Sequence, residues 1–476
     1  MTKKASKQKA LGLSKIPISN NPWIDGLNDG YSWSSGLKNK PKIFYRFKRR
    51  PGTKSTQAWS RAERKRITEA FDSISQVTPL TFKKLEGEGN NKTAHLLLYL
   101  ETHLTIQRAF GNAISPRHSP QDGVIKINSE YYKNDQGKFF KPFNAGSFLG
   151  ITFLHEICHG LGLKHPHDRG LNGERRFPGL TRNSNRFTDK GKFGMNAFPY
   201  TQMTYAFDMA EDMERTIDNA TSISNGFLLG PGALDIAALQ WIYGTNTKTN
   251  KDNSTYVLPA KNKKGTGWSC IWDTGGIDLI SARRARTNST IDLRPATLAK
   301  DQYAGGYLSQ VEGIRGGFTI AKKLDSAKQT IENLIENAEG GSFNDHITGN
   351  TAANTLQGGA GDDTINGMQG MDQLEGGAGN DTLITQLDGD SIVGGSGKDI
   401  YVIEMRKKKQ PLAKTTINDF SLTDGDELHI IINHKETIKS SDPKALLESD
   451  NKLPFDLTLE SQHDGSTQTY TLTFSP

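Results

Sequence analysis

Two cysteines in 476 residues, Cys158 and Cys270, exclude a disulfide framework, so the fold is stabilised by packing, by bound ions, or by both. No stretch of about 18 apolar residues occurs, which excludes a membrane-spanning helix. The basic opening, Met1-Thr-Lys-Lys-Ala-Ser-Lys-Gln-Lys, lacks the apolar core of roughly 7–15 residues that a secretory signal peptide carries. Hydrophobic residues reach only 34% against 23% charged. That is polar overall yet sufficient for real cores, and at roughly 100–200 residues per domain the length reads as about two to four of them.

What is abundant is glycine, at 49 residues, well above the usual share of about 7%. The formal charge is +7, which by itself would invite an anionic partner such as nucleic acid. Residues 1–20 read as a flexible basic leader, with ordered sequence from Asn21-Pro22-Trp23-Ile24-Asp25-Gly26. Helical spacing of Trp59, Ala62, Ile67, Ala70, Phe71 and Ile74 predicts a helix over about 56–76. Apolar runs at 43–47, 94–100 and 124–127 predict strands, and further helices are expected over about 145–161 and 233–243. Beyond about 250 the sequence turns to Thr, Asn, Gly and Ile with few helical signals. An α/β domain over 21–250 followed by an all-β domain over 251–476 makes the fold class α+β.

The glycines are concentrated in a repeat. From Gly340, seven registers of nine residues run without a gap through Val402. The eighth position is Ile347, Leu356, Ile365, Leu374, Leu383, Ile392 and Tyr401; the sixth is Asp345, Asn354, Asp363, Asp372, Asp381, Asp390 and Asp399. This is the nonapeptide G-G-x-G-x-D-x-U-x of a calcium-binding parallel β-roll. Glycines permit the tight turns, aspartates supply hard anionic oxygens, and the apolar residue buries against the facing layer. The double glycine is full at Gly340-Gly341, Gly358-Gly359, Gly376-Gly377 and Gly394-Gly395 and degraded between them. Two repeats make one 18-residue turn, so the full motifs fall on one side. Calcium is therefore expected chiefly between loops 358–363, 376–381 and 394–399, involving Gly358, Gly359, Gly361, Asp363, Gly376, Gly377, Gly379, Asp381, Gly394, Gly395, Gly397 and Asp399. Asp345, Asp372 and Asp390 are candidates as well, the column at 349–354, 367–372 and 385–390 being sparser. Asp419 and Asp426, in a capping strand after the roll, could hold a further ion or a solvated turn. Residues 340–402 carry a net charge of −8, leaving +15 on the rest; the overall balance is thus an average and poor support for nucleic-acid binding.

A second concentration is histidine: His155-Glu156-Ile157-Cys158-His159-Gly160-Leu161-Gly162-Leu163-Lys164-His165-Pro166-His167. On a helix His155 and His159 share a face, Gly162 lets the chain reverse, and His165 can return as third ligand. Three neutral imidazoles leave a position for water, as in a catalytic zinc site with one Zn²⁺. The eleven-residue H-E-x-x-H-x-x-G-x-x-H is the metzincin pattern, and Met203 in Thr201-Gln202-Met203-Thr204-Tyr205 follows His165 by 38 residues, as a Met-turn would. His167 and Cys158 read as bystanders.

With Tyr205 two positions beyond Met203, and the repeats downstream, the chain resembles the serralysins, metzincin proteases with a C-terminal repeats-in-toxin roll. The resemblance also runs through Asn21–Gly26, Leu234-Asp235-Ile236-Ala237-Ala238-Leu239-Gln240 and Ile271-Trp272-Asp273-Thr274-Gly275-Gly276. It implies a secreted zinc endopeptidase acting on proteins and peptides, with Glu156 as general base and structural calcium. Tyr205 would be a movable zinc ligand that donates to the oxyanion, Met203 a structural floor, and Phe110-Gly111-Asn112-Ala113 the edge on which substrate pairs. It further implies a bacterial extracellular monomer exported by a one-step ABC (type I) machinery reading a C-terminal signal within 403–476, although the ending Thr471–Pro476 lacks the usual hydrophobic character. The competing reading is an exported calcium-binding or adhesive protein whose protease domain is inactive. No nucleic-acid motif is present.

Overall fold

The computed structural model describes residues 12–33, 42–48, 58–86, 94–101, 110–116, 121–134, 137–169, 176–206, 223–323, 334–405, 414–432, 436–442, 444–445, 456–464 and 467–475. Residues 12–20 are ordered, unlike that part of the leader expected over 1–20, and residues 1–11 of it lie outside the described residues. Leu13–Lys15 pairs antiparallel with Tyr31–Trp33, Ile16 is buried, and Trp241 donates its indole N–H to the Pro17 carbonyl. Leucine and isoleucine among the lysines had enough apolar surface to dock, a property that the charge of the segment hides.

The first half is built on a five-stranded sheet of β1 (Lys42–Lys48), β2 (Thr81–Lys84), β3 (Leu96–Glu101), β4 (Gly111–Ala113) and β5 (Val124–Asn128), in the order β2-β1-β3-β5-β4. All neighbours are parallel except β4, which runs antiparallel along the edge beside β5. Helix α1 (Pro22–Leu27) is capped by Asn21. The Asn21 amide and the Trp23 indole donate to the carbonyls of Leu298 and Ala299, tying the start of the chain to the second half.

Helix α2 (Arg61–Val77) starts later than periodicity alone suggests. Ser60 and Glu63 form a reciprocal capping box that satisfies two otherwise unpaired N–H groups, so the helix begins there. Its apolar stripe packs on the sheet, with Phe71 stacked on Phe82 at 4.1 Å. Helix α3 (Phe148–Gly160) is capped by Ser147 and is buried almost all round, as a helix without a polar face must be. The indole of Trp33 donates to the Gly160 carbonyl and the phenol of Tyr243 to that of Leu161, so two carbonyls left without helical partners are paired inside the core. Helix α4 (Ala233–Tyr243) is buried along almost its whole length.

After α4 every described element is a strand, apart from a single helical turn at residues 444–445, in two sheets of nine and ten strands. Through the repeats the strands are parallel and alternate between the sheets, so consecutive partners are 18 residues apart. Leu356 lies beside Leu374 and Leu374 beside Ile392 on one side; Ile347, Ile365, Leu383 and Tyr401 form the matching row on the other. All are buried and fill the space between the layers. Each turn presents one residue of each row to its neighbours, which is why isolated repeats cannot bury a core but a stack can. Thr415–Ser421 adds to one sheet in parallel and pairs on its other side antiparallel with Thr467–Ser475, beyond which Asp456–Asp464 forms the edge.

Candidate metal centres

Helix α3 places His155 and His159 one turn apart, with Glu156 next to His155, near its buried C-terminal end. Gly162 follows with φ +102°, and a side chain there would collide with the Tyr31 carbonyl; this reversal returns His165 to the helix. The Nε2 atoms of His155 and His165 are 3.1 Å apart, and those of His159 and His165 are 3.0 Å apart.

Their other ring nitrogens fix the tautomers. His155 Nδ1–H donates to the Gln202 carbonyl at 2.9 Å, His159 Nδ1–H to the Leu163 carbonyl at 2.8 Å, and His165 Nδ1 meets Asp168 Oδ2 at 2.7 Å. A carbonyl can only accept, so these protons sit on Nδ1 and the converging Nε2 atoms carry lone pairs. Lone pairs at that spacing repel unless a cation lies between them. Three nitrogens bound to tetrahedral zinc at ~2.0–2.1 Å would lie roughly 3.3 Å apart, so the donor set fits such an ion. Burial pushes the His155 imidazole down to about 3, favouring the neutral form that a metal requires.

Glu156 is buried, and its Oε2 has no hydrogen-bond partner. Desolvation pushes its carboxyl up to about 8; a nearby cation would act in the opposite direction. Edge strand β4 crosses it closely: a Cβ on Gly111 would lie 2.6 Å from both Cγ and Oε1 of Glu156. Tyr205 stands over the histidines, its ring centroid 4.4 Å from that of His165 and 5.7 Å from that of His155. Burial, then the charges of Glu156 and Asp168, hold its hydroxyl protonated well above the ordinary value. His167 stacks on His165 at 4.9 Å, almost parallel.

Met203 is fully buried, next in sequence to the residue whose carbonyl orients His155. The turn around it is held by Asp235 of α4, which accepts from the Thr201 hydroxyl at 2.6 Å, the Gln202 N–H at 2.8 Å and the Gly232 N–H at 2.9 Å. Gln202 also donates to Cys158 Sγ at 2.7 Å. Asp168, Gln202, Asp235 and the buried Lys164, which bonds to the Gly26 and Asp168 carbonyls, went unassigned by the motifs. Lys164 lies inside the histidine motif, yet nothing in sequence marks a lysine there as an internal clasp.

In the repeats, aspartates form two ladders. The N–H groups of Asp345, Asp363, Asp381 and Asp399 donate in turn to Oδ1 of Asp363, Asp381, Asp399 and Asp426. Opposite, Asn354 and Asp372 donate to Asp372 and Asp390. Oδ2 of Asp363, Asp381 and Asp399 on one side, and of Asp372 and Asp390 on the other, is buried without a partner. Around the first three, Gly359, Gly361, Gly377, Gly379, Gly395 and Gly397 all have positive φ, and a Cβ on Gly358, Gly376 or Gly394 would fall on the free oxygen. Such cradles of unpaired carboxylate fit a hard cation. The degraded side is irregular, with Met368 at φ +70°.

Three residues behave otherwise. Asp345 accepts from the Ser289 and Gly341 N–H groups. Asp426 accepts from Asp399 and Ser421, and Asp419 from Gly394, Gly395 and the Tyr401 hydroxyl. These carboxylates terminate the stack with protein donors, which leaves the expected further ion at Asp419 and Asp426 without a free oxygen among them.

The long motif on a buried helix, the glycine reversal and the methionine turn beneath together define a metzincin-type zinc site. Residues 37–171 match the matrixin family of M10 peptidases and residues 233–456 match the peptidase M10 serralysin C-terminal family. The chain is 27% identical to a serralysin of Proteus mirabilis over 64% of its length and 57% of that protein. It is 33% identical to a serralysin of Photorhabdus luminescens, over 54% of this chain and 47% of the other. With metallopeptidase AprA of Pseudomonas marginalis the identity is 33%, covering 60% and 54%. Its two parts are thus similar to an M10 peptidase domain and to a serralysin C-terminal domain, and the chain spans about half the length of the curated relatives it matches. Among the described residues no helix is long and apolar enough to cross a membrane.

Proposed function

We propose that the chain is a secreted, zinc-dependent endopeptidase that hydrolyses peptide bonds in proteins, with a catalytic region over 21–250 and a calcium-stabilised β domain over 251–476. The observation that carries it is the convergence of three Nε2 lone pairs, each oriented from behind, beside a buried carboxylate with an unpartnered oxygen. Zinc held by His155, His159 and His165 would supply Lewis acidity to a water and to the scissile carbonyl.

Glu156 takes the proton of the attacking water and returns it to the leaving amine. Tyr205 keeps its hydroxyl proton to donate to the developing oxyanion. Asp168, the Gln202 carbonyl and the Leu163 carbonyl hold the imidazole tautomers, and Asp235 fixes the turn carrying Gln202 and Met203. Substrate adds as a strand along β4, whose Gly111 brings the backbone against Glu156. Calcium occupies the carboxylate cradles of the roll, and export proceeds through a C-terminal signal and an ABC exporter.

Two experiments test this reading. Purified protein should contain one zinc per chain and hydrolyse casein; stripping with phenanthroline should abolish hydrolysis, and zinc should restore it. Zinc-loaded protein without hydrolysis would favour the inactive, calcium-binding alternative. Second, Gly111→Ala should lower the rate at least tenfold with zinc content unchanged, because the added methyl displaces Glu156. A wild-type rate would remove β4 from the site.

A further inference from the structure

The positive charge outside the repeats is used by neither metal centre. Part of it surrounds one groove of about 720 Å³, where residues 257–269 face Arg284 and Arg286 beside Phe318. Leu229, Val257, Leu258 and Phe318 give it an apolar lining; Lys261, Lys263, Arg284 and Arg286 line it as well, and among the described residues no aspartate or glutamate does. All four cations are exposed. Among the described residues none of them is in an ion pair, whereas neighbouring Arg283 meets Glu339 at 3.6 Å.

The basic walls are built by fixed turns. Thr266 donates to the Lys261 carbonyl at 3.0 Å and accepts from the Lys263 N–H at 3.2 Å, and the Ala285 N–H closes a turn on the Ala282 carbonyl at 2.7 Å. The volume lies within the roughly 300–1,000 Å³ of small-molecule sites. A purely polyanionic ligand would leave the apolar lining wet, and a neutral apolar one would leave four clustered cations without counter-charge. One ligand chemistry uses both features.

We propose that this groove binds a single-chain fatty acid, its alkyl chain over the exposed Val257 and the half-buried Phe318 and its carboxylate among Lys261, Lys263, Arg284 and Arg286. The site is independent of the peptidase reading. Titration calorimetry on the full chain, with dodecanoate kept at low micromolar concentration so that calcium does not precipitate it, is expected to give one site per chain. Affinity should fall about tenfold or more for octanoate, since each buried methylene contributes. It should fall at least tenfold for dodecanol, and at least tenfold for Arg284→Glu/Arg286→Glu at unchanged circular dichroism. Lys261→Glu/Lys263→Glu reads the same effect from the opposite wall should the first pair misfold. Equal binding of dodecanol and dodecanoate, equal binding of acetate or an oligoglutamate peptide, or indifference to both charge reversals would each overturn the assignment.

Discussion

Replacing Glu156 with glutamine is expected to lower peptide hydrolysis by about 10³-fold while leaving one zinc per chain. General acid–base catalysis contributes about 10²–10⁴-fold. The carboxylate is buried on α3 with Gly111 against it, so the shape of the pocket depends on a side chain of this size. Glutamine preserves that volume and removes the base. His155, His159 and His165 keep their outward hydrogen bonds to Gln202, Leu163 and Asp168, so the metal should stay. Zinc content and casein hydrolysis on one preparation measure both quantities. A variant within tenfold of wild type would mean that another group carries the proton.

Removing calcium is expected to unfold the repeats at neutral pH, and acid should partly replace the ion. Without a cation, burial pushes Asp363, Asp372 and Asp399 up to about 7 and Asp381 up to about 6. The unfolded value is about 3.9. A folded state with raised carboxyl pKa values binds more protons than the unfolded one between those limits, so its stability is full below about 4 and falls as pH rises through 6–7. The chelated protein should therefore melt higher at pH 5 than at pH 8, and the calcium-loaded protein should show the reverse trend, since the ion needs ionised oxygens. Circular dichroism with a calcium-selective chelator at the two pH values tests this. Asp381→Asn should weaken calcium binding more than Asn354→Asp strengthens it, because Asn354 already spends Oδ1 on the Asn350 N–H and its amide on the Glu336 carbonyl. An unchanged spectrum after chelation at pH 8 would refute calcium-dependent folding.

The two centres differ in how far sequence displays them. The histidine spacing and the nonapeptide period are local patterns, so periodicity alone aligns His155 with His159 and Leu356 with Leu374. The supports are distant in sequence: Gln202 and Asp235 reach α3 from 44 and 77 residues beyond Cys158, and only packing brings them together. The same holds for the ends of the roll. Asp345 and Asp363 occupy the same register, yet Asp345 borders Ser289 and Gly341 and spends its oxygens on their N–H groups, while Asp363 retains one free. At the amino end, charge counting extended the leader to residue 20, but over 13–16 the burial of Ile16 and the pairing of Leu13–Lys15 outweighed it.

The amino-acid sequence by itself determined the α+β class, the three histidines, the glutamate and the Met-turn, and the pitch of the repeat, because each is written at a fixed local spacing. Tertiary structure alone decided which nitrogens carry protons, which carboxylate oxygens stay free, and where four unpaired cations meet an apolar groove. Those outcomes depend on which donors the fold brings within about 3 Å, and residues far apart in the chain supply them.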